Sequence, residues 1–261
     1  MMARTLVVLL GVSLCAGATP AQTVLFDFEN ASDYSAFPLD LTVSGLTAHF
    51  SATGQGYSIQ SSSTVPIVPP GFSGRYIYPT SVFAADLLVS FSQALTNFSI
   101  LYSPQELGCD DSARMKVTAY MDGTPVGTNT TTARSPGTYP SETLSITTVD
   151  GFNNVVVHYD ARPTTCQDYG PIFLADNMSV TLAPPAILLT NLTLLADGTF
   201  QFDFPHTPGG SFSVWAGTNL SVPLNLWTNM GGTTEVSAGR YQFRDPQATN
   251  HPQRYYRVRS P

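Results

Sequence analysis

Between residues 22 and 182 the chain alternates apolar and polar side chains in short runs that end on Gly, Pro, Asn or Asp, and no stretch carries the spacing of an amphipathic helix. Successive side chains of a strand point to opposite faces, so each run can bury one face and leave the other in water. This pattern predicts an all-β fold, an antiparallel two-sheet sandwich closed over a shared core. Strands are expected at 23–29, 41–52, 86–92, 97–103, 114–121, 126–132, 143–147, 154–160 and 172–182. Asp122-Gly123 lies between two of them as a hairpin turn, because glycine takes positive φ at little cost. Twenty prolines, twenty glycines and only 11% charged residues fit strands and turns better than helices.

The chain is expected to divide into four parts. Residues 1–21 read as a secretion signal, with Arg4 as the positive region, 6–18 as the apolar stretch and small residues at the cleavage site. Residues 22–182 form the sandwich, and Pro184-Pro185 lies in a linker over 183–186 that cannot continue a sheet ladder. A small β module follows over 187–261, with strands expected at 187–195, 199–204, 211–216, 224–228, 240–244 and 254–259. Both tryptophans, Trp215 and Trp227, fall in this module, and alternation in short strands predicts them as core residues, with ligand platforms as the alternative. No later stretch has the roughly 20 apolar residues of a membrane span, so no transmembrane segment is expected once the signal is removed.

Charge is unevenly spread. Residues 22–182 hold 14 Asp and Glu against 5 Lys and Arg, whereas residues 183–261 hold 4 acids against 5 arginines. Such an acidic first domain repels a phosphate backbone, which argues against nucleic acid as a partner and leaves extracellular glycans, cell-surface components and divalent cations. Cys109 and Cys166 are the two cysteines left after signal removal, and in an oxidising compartment they are expected to pair. Closing that loop would stabilise by about 4 kcal/mol in the chain-entropy picture. Two free thiols are the alternative.

Two segments bracket the first domain: Leu25-Phe26-Asp27-Phe28-Glu29-Asn30 at its start and Ile172-Phe173-Leu174-Ala175-Asp176-Asn177-Met178-Ser179-Val180 at its end. They resemble the opening and closing strands of jelly-roll domains in bacterial secreted proteins, among them proteins with a PEP-type sorting tail and some carbohydrate-binding modules. The resemblance implies a jelly-roll sandwich whose first and last strands lie together, and a structural Ca²⁺ held by Asp27, Glu29 and Asp176. Solvated strand-end carboxylates are the alternative reading of the same three residues. The C-terminal part carries an ordered series: Asp197-Gly198-Thr199-Phe200, Pro208-Gly209-Gly210-Ser211-Phe212-Ser213-Val214-Trp215, Leu226-Trp227-Thr228 and Tyr241-Gln242-Phe243-Arg244-Asp245-Pro246, closing on Arg254-Tyr255-Tyr256-Arg257-Val258. It resembles the compact β module at the C-termini of planctomycete- and verrucomicrobia-type secreted proteins, which implies secretion and no known activity.

Candidate binding residues form two groups. A disulfide would gather Asp110, Asp111, Arg162, Asp168 and Tyr169 on one rim of the sandwich, where loops on a rigid scaffold commonly bind ligands. Alternation in 114–121 turns Met115, Val117, Ala119 and Met121 inward and Lys116, Thr118 and Tyr120 outward. In 154–160 it turns Val156, His158 and Asp160 to the face opposite Val155, Val157 and Tyr159. A surface with Lys116, Tyr120, His158 and Asp160 can stack a sugar ring and hydrogen-bond its hydroxyls, and it equally fits an ordinary solvated sheet face. No Gly-x-Ser-x-Gly elbow frames a serine, no histidine pair has metal-ligand spacing, and acids on one rim do not by themselves make a glycosidase pair. Six Asn-x-Ser/Thr sequons are compositional in a chain this rich in Ser and Thr. The expectation is a secreted, non-catalytic glycan-binding protein, with an extracellular structural or adhesive protein, or a glycan-active enzyme, as alternatives.

Overall fold

A computed structural model describes residues 22–54, 56–65, 68–80, 85–104, 114–133, 139–161, 172–185 and 187–259. These residues are nearly all β, in antiparallel sheets arranged as a sandwich. Two compact units emerge, Gln22–Ala183 and Pro184–Pro261. The expected signal segment, the Cys109–Cys166 pair and the rim residues Asp110, Asp111, Arg162, Asp168 and Tyr169 lie outside the described residues.

The first unit runs β1 (Thr23–Phe26), β2 (Leu39–Val43), β3 (Leu46–Ala52), β4 (Tyr57–Ser61), β5 (Arg75–Pro79), β6 (Leu87–Pro104), β7 (Arg114–Met121), β8 (Thr124–Thr132), β9 (Glu142–Ala161) and β10 (Phe173–Leu182). Four expected strands merge into two long ones, β6 and β9. The reason lies in the phase of the alternation. Leu87, Val89, Phe91 and Leu95 are buried at odd positions, and after Thr96-Asn97 the buried set shifts to Phe98, Ile100 and Tyr102. A register shift against β9 marks the slip, and β9 slips in turn from Leu144, Ile146 and Phe152 to Val155 and Val157, just past Gly151, whose φ is +78°. Such bulges bend a strand and switch its inward face. The early half of β6 thus pairs with β3 and with residues 154–157 of β9, while its late half pairs with β10 and with residues 142–147, so the sheet folds over itself.

The expected single strand at 41–52 is a hairpin, because Ser44 and Gly45 both take positive φ, at +51° and +82°. Asp122 and Gly123 do the same at +49° and +82°, turning β7 into β8 with Met121 opposite Thr124. β1 stops short of Glu29, since Phe28 enters the left-handed region at φ +62°. It lies antiparallel to β10, with Phe26 opposite Met178. The core between the layers is apolar and aromatic, with Phe50, Phe98, Ile100, Val117, Val157 and Phe173 fully buried.

The second unit runs β11 (Thr190–Leu194), β12 (Phe200–Pro205), β13 (Ser213–Gly217), β14 (Thr228–Gly232), β15 (Thr234–Ser237), β16 (Arg240–Asp245) and β17 (Tyr255–Arg259). Its sheets, β11-β12-β16-β15 and β14-β13-β17, enclose Phe200, Phe202, Phe204, Val214, Tyr241 and Val258. Phe204 stacks on Tyr241, and Phe200 on Tyr256. Neither tryptophan belongs to this core, which corrects the expectation. Trp215 alternates with buried Val214 and Ala216 and so faces outward beneath Arg259, and Trp227 follows a 3₁₀ turn at Leu224–Leu226 instead of sitting inside a strand.

Candidate functional site

Strand pairing between β7 and β9 decides which of the expected residues meet. Lys116 lies directly opposite His158, and Tyr120 opposite Asn154, on the face away from buried Met115, Val117 and Ala119. Asp160 joins this face through Arg114, whose Nε donates to its Oδ2 at 2.6 Å, and through Lys116, whose Nζ lies 3.5 Å from Oδ1. The Arg114 hydrogen bond holds the Asp160 carboxyl below the usual range, so the acid stays ionised at any neutral pH and its charge is offset by two cations. Lys116, His158 and Asp160 therefore form one cluster, while Tyr120 stands four residue pairs further along β7. Arg114 was not among the expected binding residues. Its position at the start of the same alternating run was the signal for it.

The face extends further than either strand. Asp40 pairs with His49, His49 with Ser90, Ser90 with Asn154, and Asn154 with Tyr120, in a single row that crosses β2, β3, β6, β9 and β7. Directly opposed residues share a face at strand spacings of about 4.8 Å, so the row is a polar strip roughly 19 Å long ending on an aromatic ring. His49 Nδ1 lies 2.6 Å from Asp40 Oδ1, which orients that imidazole, and Asn154 Nδ2 donates to Asn153 Oδ1 at 2.7 Å. Asp40 and His49 are exposed, and Ser90, Asn154 and Tyr120 are half-buried. The arrangement presents hydroxyl, amide, imidazole and phenol groups to solvent at regular intervals. Within the strip Ser90 lies opposite His49, whose Nδ1 meets Asp40 laterally across the hairpin, so acid, imidazole and hydroxyl succeed one another on three adjacent strands.

The bracket carboxylates have other occupations. Asp176 is 1% exposed, and its Oδ1 and Oδ2 accept the backbone N–H groups of Asn177 at 2.7 Å and Ser73 at 3.2 Å. Glu29 Oε1 accepts the N–H of Arg75 at 2.8 Å, an approach open only because Gly74 has no side chain: a Cβ there would fall 1.7 Å from that oxygen. Asp27 Oδ1 accepts from the N–H of Glu29 at 3.2 Å, closing a local turn. Arg75 completes the group, donating from Nε to Asp33 at 2.6 Å. Among the described residues no group of three or more His, Cys, Asp and Glu side chains stands in an arrangement able to hold a metal ion.

Burial pushes the Asp176 carboxyl up to about 6, against backbone hydrogen bonds that lower it, with Glu29 and Asp27 adding repulsion. The folded value thus exceeds the unfolded one, so the protonated form favours folding: the contribution is complete below pH ~4 and is lost as pH rises through ~6. We expect the melting temperature of the wild type, relative to Asp176→Asn, to rise as pH falls from 7.5 to 5, a difference worth about 1 kcal/mol. A constant difference across that range would refute the assignment. The same melts with and without EDTA read the calcium expectation directly, since a metal that binds only the folded chain raises its melting temperature.

Of the six sequon asparagines, Asn97 on β6 donates to Thr147 Oγ1 at 2.8 Å, and Asn177 Nδ2 donates to Gly71 O at 3.3 Å. No described helix is long and apolar enough to cross a membrane.

No protein-family model and no curated protein sequence matches this chain. Among solved structures it is similar to the K2 cleaved adhesin domain of Lys-gingipain, at 12% identity and a TM-score of 0.40, over 62% of this chain and 100% of that one. It is also similar to the Endo-D glycoside hydrolase domain from Streptococcus pneumoniae R6, at 9% identity and a TM-score of 0.34, over 86% of this chain and 38% of that one. A third likeness is to Arthrobacter globiformis T6 isomalto-dextranase complexed with panose, at 16% identity and a TM-score of 0.30, over 63% of this chain and 33% of that one. Likenesses at these scores carry no argument about chemistry.

Proposed function

We propose that this chain is a secreted, non-catalytic β protein whose first unit binds an extracellular glycan along its outer sheet face. The observation that carries the reading is the row Asp40, His49, Ser90, Asn154 and Tyr120, flanked by Lys116 and His158. A polysaccharide is extended and repetitive, and it offers hydroxyl groups along its edge and C–H groups on its faces. A strip with a donor or acceptor on each successive strand matches the first, and a half-exposed tyrosine ring at its end matches the second. Ionised Asp160 is already balanced by Arg114 and Lys116, so the face does not select a strongly charged ligand. The resemblance of the first unit's opening and closing strands to secreted jelly-roll domains, and of the second unit's motifs to a secreted β module, supports the same extracellular setting.

The full mature chain, offered to a panel of insoluble and soluble polysaccharides, is expected to bind at least one neutral member. Lys116→Ala combined with His158→Ala, and separately Tyr120→Ala, should each weaken that binding at least tenfold without shifting the melting temperature, since surface substitutions are usually within about 0.5 kcal/mol of neutral. Binding untouched by both variants would place the glycan elsewhere, and no binding across the panel would leave a structural extracellular role.

A further inference from the structure

The second unit contains a feature that the first unit's function does not use. A cavity of about 340 Å³ opens beside the end of β13, lined by Gly217, Asn219, Leu226, Trp227, His251 and Arg254 among others. It is built by two irregular segments. One leaves β13, makes an Asx turn in which Asn219 Oδ1 accepts the N–H of Ser221 at 2.9 Å, and ends on the 3₁₀ turn that delivers Trp227. The other follows the 3₁₀ turn at Ala248–Asn250 and brings His251 and Arg254, with Gln253 Nε2 donating to Thr218 O at 3.0 Å to tie the two together.

The indole is held in place. Its Nε1 donates to Val222 O at 3.0 Å, and it lies so close to Gly217 that a Cβ there would fall 2.8 Å from a ring carbon. Glycine at 217 is therefore what lets the ring settle flat against the backbone. Trp227 is only half-buried all the same, and Leu226 beside it is 70% exposed. A large apolar ring fixed at the edge of a cavity, without core neighbours to bury it, is unusual unless it has a ligand to meet.

Arg254 sets the polarity of the ligand. Its side chain is 7% exposed, and Nη1 lies 3.0 Å from Asp245 Oδ2, so its charge is offset inside the protein. Nη2 reaches only Met230 Sδ, and Nη1 makes no hydrogen bond despite the ion pair. Nη1 is itself buried, so Arg254 walls the cavity as a neutralised group with no net charge to attract an anion. His251, Thr218 and Asn219 add uncharged polar groups around the indole. A ring face on one side and neutral donors and acceptors on the other suit a molecule with a C–H face and a hydroxyl edge, and the volume sits at the small end of the roughly 300–1,000 Å³ range of ligand pockets.

We propose that this cavity is a second ligand site that takes a neutral sugar ring against Trp227. The site is independent of the sheet face in the first unit. Trp215→Phe leaves Trp227 as the one remaining indole of the chain, so its emission and its quenching by acrylamide report this site alone. Methyl glycosides and disaccharides of glucose, galactose and mannose serve as probes, with glucuronate as the charged comparison. At least one neutral probe should shield Trp227 from acrylamide and saturate in the ~0.1–10 mM range expected of so small a ligand. Asn219→Ala, at an exposed position, should weaken that binding several-fold, and Trp227→Ala, followed by calorimetry, at least tenfold. Lys116→Ala with His158→Ala should leave it unchanged. No shielding by any neutral probe, or shielding by glucuronate alone, overturns the proposal.

Discussion

Asp245→Ala is expected to destabilise the second unit by about 3–5 kcal/mol. The carboxylate is fully buried and serves three partners. Oδ2 accepts the Tyr256 hydroxyl at 2.8 Å and faces Arg254 Nη1 at 3.0 Å, while Oδ1 accepts the N–H of Gln247 at 2.9 Å. Burial, then the hydrogen bond to Asp245, holds the Tyr256 phenol well above its ordinary range, so the hydroxyl remains a donor throughout the usable pH span. Removing the acid leaves a buried guanidinium uncompensated, and that desolvation cost, more than the lost hydrogen bonds, sets the magnitude. Both tryptophans belong to this unit, so urea melts followed by tryptophan emission measure it directly. Asp245→Ala with Arg254→Met removes both charges and should recover more than half of the loss. A single-variant cost below about 1 kcal/mol would show that water reaches the pair.

The sequence revealed those parts of the fold that depend on local alternation. β7 and its hairpin into β8 were legible because Met115, Val117 and Ala119 alternate without interruption and Asp122-Gly123 supplies two left-handed residues. β6 and β9 were read as four strands because a bulge reverses the phase of alternation, and a phase reversal looks like a break when the partner strand is unknown. The short strands β4 and β5 were missed. β5 carries Tyr76, Ile77 and Tyr78 in unbroken succession, and β4 alternates as Tyr57-Ser58-Ile59-Gln60-Ser61 over only five residues, with Ser58 buried as well as its apolar neighbours. Trp227 was misplaced for a related reason: an apolar residue in a turn cannot be told from one in a strand by spacing alone.

The candidate site shows the same division. Lys116 facing His158 follows from the alternation of two strands and an antiparallel pairing. The polar row does not, because Asp40, His49, Ser90, Asn154 and Tyr120 are spread over 115 positions of the chain and meet only through four separate registers. Asp245 and Arg254 likewise carry no local sign that one will neutralise the other.

Phe50→Ala is expected to cost the first unit about 3–5 kcal/mol, and the reason redefines what its opening segment contributes. Phe50 is fully buried on β3, opposite Val89 of β6. Its ring meets Phe26 edge-on at 6.2 Å, Phe28 at 5.6 Å and Phe37 at 5.7 Å. Each such pair adds about 0.5–1.5 kcal/mol beyond the area it buries, and truncation would open a cavity that three further rings cannot all collapse into. Phe26 and Phe28 come from the opening segment, so it is their rings that join the first strand to the core. Asp27, exposed between them, should cost no more than about 0.5 kcal/mol as Asp27→Ala. Far-UV circular dichroism melts of the two variants, run with and without EDTA, make the comparison. Equal losses would mean that the acids hold the first strand to the last; a loss confined to Phe50→Ala would mean that the aromatic cluster does.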